Sequence, residues 1–267
     1  MGTMASDKQV VFIAAVRTPF GTFGGSLKDH SATELGILAG RAAVERAGVD
    51  PSEYGQVFFG NVIQTSADAV YLARHVGLNA GLPIEVPAMT LNRLCGSGFQ
   101  AVIDGAEDIL YGGSRVCLTG GTESMSQAPH VVRGARWGLR LGPSVPFEDS
   151  LWEALTDTYC GFSMAQTAEN LADEYDISRE EVDGYAVRSQ TRAGAAWDAG
   201  KFDEEVVPVT LLKRGKETEF KRDEHKRPDT TAEALASLLP YFKKDGLVTA
   251  GNASGLGDGA AALVISD

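Results

Sequence analysis

The sequence predicts an α/β fold in which a mixed sheet is interrupted by a mostly helical insertion and then resumed. Three observations carry this. Strand-like apolar runs alternate with helical spacings over residues 10–121. The alternation stops over residues 122–246, where four helical stretches follow one another and charge is concentrated. A strand pattern returns in residues 261–266, AALVIS.

Each element has a local reason. Residues 10–16, VVFIAAV, read as a strand, and the Gly and Pro residues of 19–25 end it. Ser31 reads as a helix cap, and Glu34 three residues on completes a capping box. Leu35, Leu38, Ala42 and Val44 keep helical spacing, and Gly48 stops the helix. A short strand at 57–59, a helical stretch at 72–78 and an apolar strand at 88–94 follow. Residues 98–110 read as a helix, and 115–118 as a strand closed by Gly120 and Gly121. In the insertion, 150–155, 167–175, 178–199 and 231–239 read as helices. Ser178 and Glu181 form a second capping box, and Gly200 stops that helix.

Bulk properties exclude several classes. The 267 residues suffice for one large domain with a sizeable insertion. At 43% hydrophobic, with 31 Gly and 10 Pro, the chain is globular rather than disordered or fibrous. No apolar run approaches the ~20 residues a membrane helix needs, so no membrane partner is expected. A net charge of −12 argues against nucleic acid. Cys95, Cys117 and Cys160 are too dispersed for a disulfide framework, and with no Cys-x-x-Cys pair no metal site is expected. They point to a reducing compartment, most simply the cytoplasm. Met1-Gly-Thr-Met-Ala-Ser6 formally fits a myristoylation pattern, but a start at Met4 after a cloning remnant is the simpler reading. Neither an arginine-rich leader nor a signal peptide is evident.

The chemistry concentrates in Thr90-Leu-Asn-Arg-Leu-Cys95-Gly-Ser-Gly98-Phe-Gln-Ala. An apolar strand ends, a cysteine follows, and a glycine-rich turn opens a helix. A cysteine there meets the positive end of the helix dipole and free backbone N–H groups, which favour the nucleophilic thiolate. Gly96 and Gly98 keep the approach open for a substrate carbonyl. The competing reading is a buried structural thiol. Cys117, inside a strand pattern, fits that reading, and Cys160 lies in a loop-like stretch with nothing to activate it.

The run Asn92-Arg-Leu-Cys95-Gly-Ser-Gly98 resembles the nucleophile signature of thiolases. Other segments agree in the right order: Val16-Arg-Thr-Pro-Phe-Gly21, Phe23-Gly-Gly-Ser-Leu27, Gly120-Gly-Thr-Glu-Ser-Met125, Thr167-Ala-Glu-Asn170 and Thr249-Ala-Gly-Asn-Ala-Ser-Gly255. Tyr71-Leu-Ala-Arg-His-Val-Gly77 and Ser124-Met-Ser-Gln-Ala-Pro129 look closest to the mitochondrial-type 3-ketoacyl-CoA thiolases. The resemblance implies a thiolase-like βαβαβαββ domain with a loop domain inserted. The sheet domain would span 8–121 and 247–267, and the coenzyme A-binding loop domain 122–246. It also implies a buried helix behind the nucleophile, which accounts for Ala101, Gly105 and Ala106, and a homodimer or tetramer formed through this domain.

The implied activity is that of an acetyl-CoA C-acyltransferase or C-acetyltransferase of fatty acid metabolism. Acyl-CoA and coenzyme A are its substrates, and no cofactor is permanently bound. Cys95 would be catalytic. Arg227 matches the family's nucleotide-contacting arginine, Ala250 and Ser254 match positions touching the pantetheine arm, and Leu155 and Met164 match positions lining the channel. Seven basic residues (Lys213, Arg214, Lys216, Lys221, Arg222, Lys226, Arg227) and four acids (Glu217, Glu219, Asp223, Glu224) make this stretch net positive in an acidic protein, as a phosphate-bearing ligand favours.

Two departures bear on these contacts. Ser163 stands where many biosynthetic members have histidine, which predicts substrates longer than acetoacetyl-CoA. Ala234 stands where some members have a cofactor-contacting serine. A thiolase also needs a basic histidine, usually in Gly-His-Pro, and a second cysteine, usually in Cys-x-Gly-Gly-Gly. Neither motif occurs here, and His30, His75, His130 and His225 read as surface or core. A C-terminal half is therefore the expected partner. Two rivals remain on the sequence: a ketoacyl-synthase-like condensing enzyme, and a non-catalytic thiolase-like lipid-binding protein.

Overall fold

The computed structural model describes residues 9–142, 144–213 and 215–267, and only the backbone of Lys213. The myristoylation-like N-terminus, Arg214 and the Lys213 side chain lie outside the described residues. In chain order the strands and α-helices are β1 (Val11–Arg17), β2 (Gly21–Thr22), α1 (Ala32–Ala47), β3 (Tyr54–Gly60), α2 (Leu72–Asn79), β4 (Ala88–Leu91), α3 (Ser97–Leu110) and β5 (Val116–Ser124). Then come β6 (His130–Val131), β7 (Glu148–Asp149), α4 (Ser150–Ala154), β8 (Thr156–Asp157), β9 (Phe162–Ser163), α5 (Met164–Glu174) and α6 (Arg179–Asp198). Last are β10 (Val209–Lys213), β11 (Lys216–Phe220), α7 (Ala232–Ala236) and β12 (Gly257–Ser266).

Two compact units share these elements. The first contains the chain up to Gln127, Asp203–Glu224 and Leu256–Asp267; the second contains Ala128–Phe202 and His225–Gly255. The sequence reading placed all of 122–246 in the insertion. The structure instead puts 203–224 with the sheet, where Val209 and Leu211 join the core. The hairpin β10–β11 in this stretch was read as part of a helical region. Gly215, at φ 76°, supplies the left-handed residue that its tight turn requires.

In the first unit the sheet runs β1-β12-β5-β3-β4, with β2 paired to β12. β1, β12 and β5 pair antiparallel, while β5, β3 and β4 pair parallel. With β2 and the β10–β11 hairpin set aside, the elements of this unit follow the order β-α-β-α-β-α-β-β, in agreement with the expected mixed-sheet α/β fold. Alternate residues face opposite sides. Val57, Phe59, Leu118 and Val264 bury with Leu35 and Ala39 of α1 and Leu72 and Val76 of α2. Phe58, Cys117 and Ile265 bury with Ala101 and Ile109 of α3.

Two local expectations are corrected. β5 does not stop at Gly120 and Gly121 but runs on to Ser124. A Cβ on Gly120 would lie 2.3 Å from the Ala261 carbonyl oxygen and 2.6 Å from the Phe59 ring, so this glycine serves close packing rather than a turn. β4 ends at Leu91, and the residues after it form a turn. In α3, Ala101 and Gly105 are buried with Ser97 and Ile109, as their small size predicts, while Phe99 on the other face is 71% exposed.

The second unit carries α4–α7 and two short ladders, β6–β7 and β8–β9. The Ser178–Glu181 capping box forms as expected, and Gly200 takes a left-handed φ of 68° beyond α6. α5 begins earlier than expected, because Ser163 caps it and makes a reciprocal box with Gln166. α7 is shorter than read, only five residues.

Candidate active site

Cys95 sits between the end of β4 and the start of α3, and it is exposed. The turn that carries it is braced at several points. The Asn92 side-chain oxygen accepts the Leu94 N–H at 2.9 Å, and the Asn92 amide donates to the Val62 carbonyl at 3.4 Å. The Ser97 hydroxyl accepts the Arg93 N–H at 2.9 Å and donates to the Leu94 carbonyl at 2.6 Å. Leu94 is held at φ 49°, a left-handed conformation that leucine adopts only under constraint. The residue after it, Cys95, therefore leaves the turn in a fixed direction.

Glycines let the helix start approach the sheet. A Cβ on Gly60 would lie 2.6 Å from Cβ of Ser97, and one on Gly121 would lie 3.6 Å from Cα of Gly98. Glu123, at the end of β5, accepts from the Asn61 amide at 2.9 Å and from the Val62 and Ile63 N–H groups at 2.9 and 3.3 Å. Burial raises its pKa, and these hydrogen bonds oppose the rise. Glu123 was only part of a quoted motif in the sequence reading. Its loop, 61–63, reaches the Cys95 turn through Val62 and Asn92.

The other cysteines separate by environment. Cys117 is fully buried, and burial pushes its thiol up to about 12. Cys160 is exposed in a turn closed by the Gly161 N–H donating to Asp157. Among the described residues of its own unit, neither His30 nor His75 hydrogen-bonds Cys95.

The expected coenzyme A positions all lie in the second unit, and Cys95 lies in the first. Leu155 and Met164 come together, the Met164 N–H donating to the Leu155 carbonyl at 3.0 Å. Ser163 is a buried helix cap at the start of α5. Ala234 is exposed on α7. The Arg227 side chain is exposed, while its backbone N–H donates to Gln190 at 2.7 Å and its carbonyl accepts from the Thr230 hydroxyl at 2.7 Å. The basic run does not act as one block, because the division between units falls after Glu224. Its acids are engaged as well. Asp223 pairs with Arg17 at 2.8 Å, and Glu224 accepts from the Thr22 and Ser26 N–H groups at 2.9 and 3.1 Å.

Ala250 and Ser254 are exposed on an irregular segment whose preceding residues, Val248 and Thr249, are buried. Glu169 accepts the Leu247 and Val248 N–H groups at 2.9 and 2.7 Å. Asn252 donates to Asp183 at 2.8 Å and to the Leu247 carbonyl at 2.9 Å, and it accepts the Thr249 N–H at 2.8 Å. Asp183 is held from behind by Arg179 at 2.7 Å. None of Glu169, Asp183 and Asn252 was singled out from the sequence. The only signal was that Glu169 and Asn252 fall inside quoted motifs.

The family model described as "Thiolase, N-terminal domain" matches residues 10–267. The human mitochondrial 3-ketoacyl-CoA thiolase is 54% identical over 264 residues, covering 98% of this chain and 66% of that protein. The chain thus spans about two thirds of that relative's length. A crystal structure of the human mitochondrial enzyme aligns with a TM-score of 0.94 at 51% identity, over 99% of this chain and 66% of the other. A second, in complex with CoA, aligns at 0.92 with 53% identity, over 97% and 64%. The cytoplasmic expectation is overturned, because these relatives are named as mitochondrial. A few dispersed cysteines indicate a reducing compartment without saying which one.

Proposed function

The chain belongs to the thiolase family through its N-terminal domain, and on that premise we propose that it supplies the nucleophile of an acyltransferase acting on coenzyme A thioesters. The Cys95 thiolate attacks the 3-keto carbon of a 3-ketoacyl-CoA. The bond between C2 and C3 breaks, and the released carbanion takes a proton to leave as acetyl-CoA. The acyl group stays on Sγ as a thioester. The thiol of free coenzyme A then displaces it, releasing an acyl-CoA shortened by two carbons and returning the Cys95 thiol. The reverse sequence is a Claisen condensation of two thioesters. This chemistry needs no metal and no permanent cofactor.

The exposed Cys95, held in a braced turn ahead of α3, is the observation that carries this reading. In the second unit, Arg227 takes the nucleotide, Ala250 and Ser254 face the pantetheine arm, and Leu155 and Met164 line its path. Their surface positions and the coenzyme A complex of a similar protein support this assignment. The base and the second cysteine of the family come from a C-terminal half, and the sheet unit forms the contact between copies in a homo-oligomer.

The test is loss of 3-ketoacyl-CoA absorbance with free coenzyme A, using the chain alone, the chain supplied with a thiolase C-terminal half, and a Cys95→Ala variant of that mixture. Turnover is expected only in the second case. Full turnover by the chain alone would make one of the four histidines the base. Turnover that survives Cys95→Ala would remove the nucleophile assignment.

A further inference from the structure

The segment that offers Ala250 and Ser254 to solvent is neither helix nor strand, yet its backbone is unusually well held. An irregular segment can sit in the interior only if its polar groups find partners. Here they are supplied by side chains. Glu169 of α5, at 1% exposure, takes the N–H groups of Leu247 and Val248. Asn252 takes the Thr249 N–H with its oxygen and gives its amide hydrogens to Leu247 and to Asp183 of α6. The Thr249 hydroxyl accepts the Gly251 N–H at 3.3 Å. Two glycines let the segment lie this close. A Cβ on Gly246 would come within 2.5 Å of a Glu169 oxygen, and one on Gly251 within 2.4 Å of the Leu235 side chain on α7. The side chains that hold the segment thus point inward, while Ala250 and Ser254 point out.

We infer that Asn252 and Glu169 are positioning residues for the coenzyme A arm, with Asp183 fixing Asn252. They pre-form the backbone on which the arm lies, so that binding does not have to order it. The inference rests on the reading that Ala250 and Ser254 face that arm. Neither residue touches the ligand. Asn252 acts by joining both ends of the Leu247–Asn252 turn, and Glu169 acts by capping its entry.

The experiment compares two ligands by calorimetric titration of the whole chain: coenzyme A, and 3′-phosphoadenosine 5′-diphosphate, which has the nucleotide but no arm. The unsubstituted chain should bind coenzyme A more tightly. Asn252→Ala should weaken coenzyme A about tenfold and change nucleotide binding less than about twofold, since only the arm loses its prepared surface. Glu169→Gln keeps the shape and one acceptor oxygen, so it should fold normally and give a smaller loss of the same selectivity. Equal weakening of both ligands would mean that the substitutions merely loosen the unit, and would overturn the inference. So would coenzyme A binding left unchanged by both variants. Ser254→Tyr tests the underlying reading separately by blocking the surface itself. If that variant, or removal of the arm from the ligand, has no effect on affinity, the arm lies elsewhere and that reading fails first.

Discussion

At the scale of single residues, environment decides which cysteine can react. Cys95 and Cys160 are both exposed, but only Cys95 directly adjoins a helix cap, Gly96 of α3, whereas Cys160 lies three residues ahead of Ser163, the cap of α5. Cys117 is buried, with its thiol pushed up to about 12. Limiting iodoacetamide at neutral pH should therefore label Cys95 first, Cys160 more slowly, and Cys117 only on unfolding. Peptide mapping that finds Cys160 or Cys117 labelled first would remove the special status of Cys95. A second residue has a pH signature. Burial pushes the Glu224 carboxyl up, but hydrogen bonds from Ser26 and Thr22 outweigh it and hold the pKa below 4.5. A depressed carboxylate stabilises the fold above its unfolded pKa, and that contribution is lost as pH falls through the folded value. The urea midpoint of Glu224→Gln should therefore fall below that of the parent at neutral pH, and the gap should close as pH drops below 4.5. A gap that widens on acidification would reverse the assigned sign. The strand, turn and helix around Cys95 were legible in the sequence because their signal is local. Glu169 and Asn252 were not, because their roles depend on contacts between distant segments.

At the scale of elements, the same residue type plays opposite parts. The capping boxes at Ser31 and Ser178 were legible, since both partners lie within one turn. The Ser163 box was missed because that position was weighed for its ligand role and not for the helix behind it. Gly120 was read as a terminator because nothing local distinguishes a turn glycine from one that makes room for a neighbour. Two helix glycines turn this distinction into a measurement. A Cβ on Gly105 of α3 would lie 2.7 Å from the Thr119 methyl and 3.0 Å from Ile265, whereas one on Gly184 of α6 meets nothing within 4 Å. Gly105→Ala should destabilise by about 1–3 kcal/mol through overpacking. Gly184→Ala should stabilise by up to about 1 kcal/mol through helix propensity alone. Denaturant unfolding of the two variants checks both: a stabilising Gly105→Ala would contradict the tight α3–sheet contact, and a destabilising Gly184→Ala would contradict the open space beside α6.

At the scale of the whole molecule, the fold class and the interruption of the sheet were legible from alternation alone. The exact limits of the insertion were not, because residues 203–224 leave the sheet's sequence pattern and still pack with its core. The sheet unit holds the proposed nucleophile, and the other unit carries the proposed surface for the cofactor arm. The central claim is that the acyl group passes through Cys95, and trapping that intermediate tests it most directly. The chain, supplied with a thiolase C-terminal half, is mixed with a 3-ketoacyl-CoA, quenched in acid within the first turnover, and mapped by peptide mass. The account predicts a shortened acyl group on the peptide that contains Cys95, removed when free coenzyme A is added before the quench. Turnover accompanied by an acyl group on Cys160, or by no acylated cysteine at all, would contradict it.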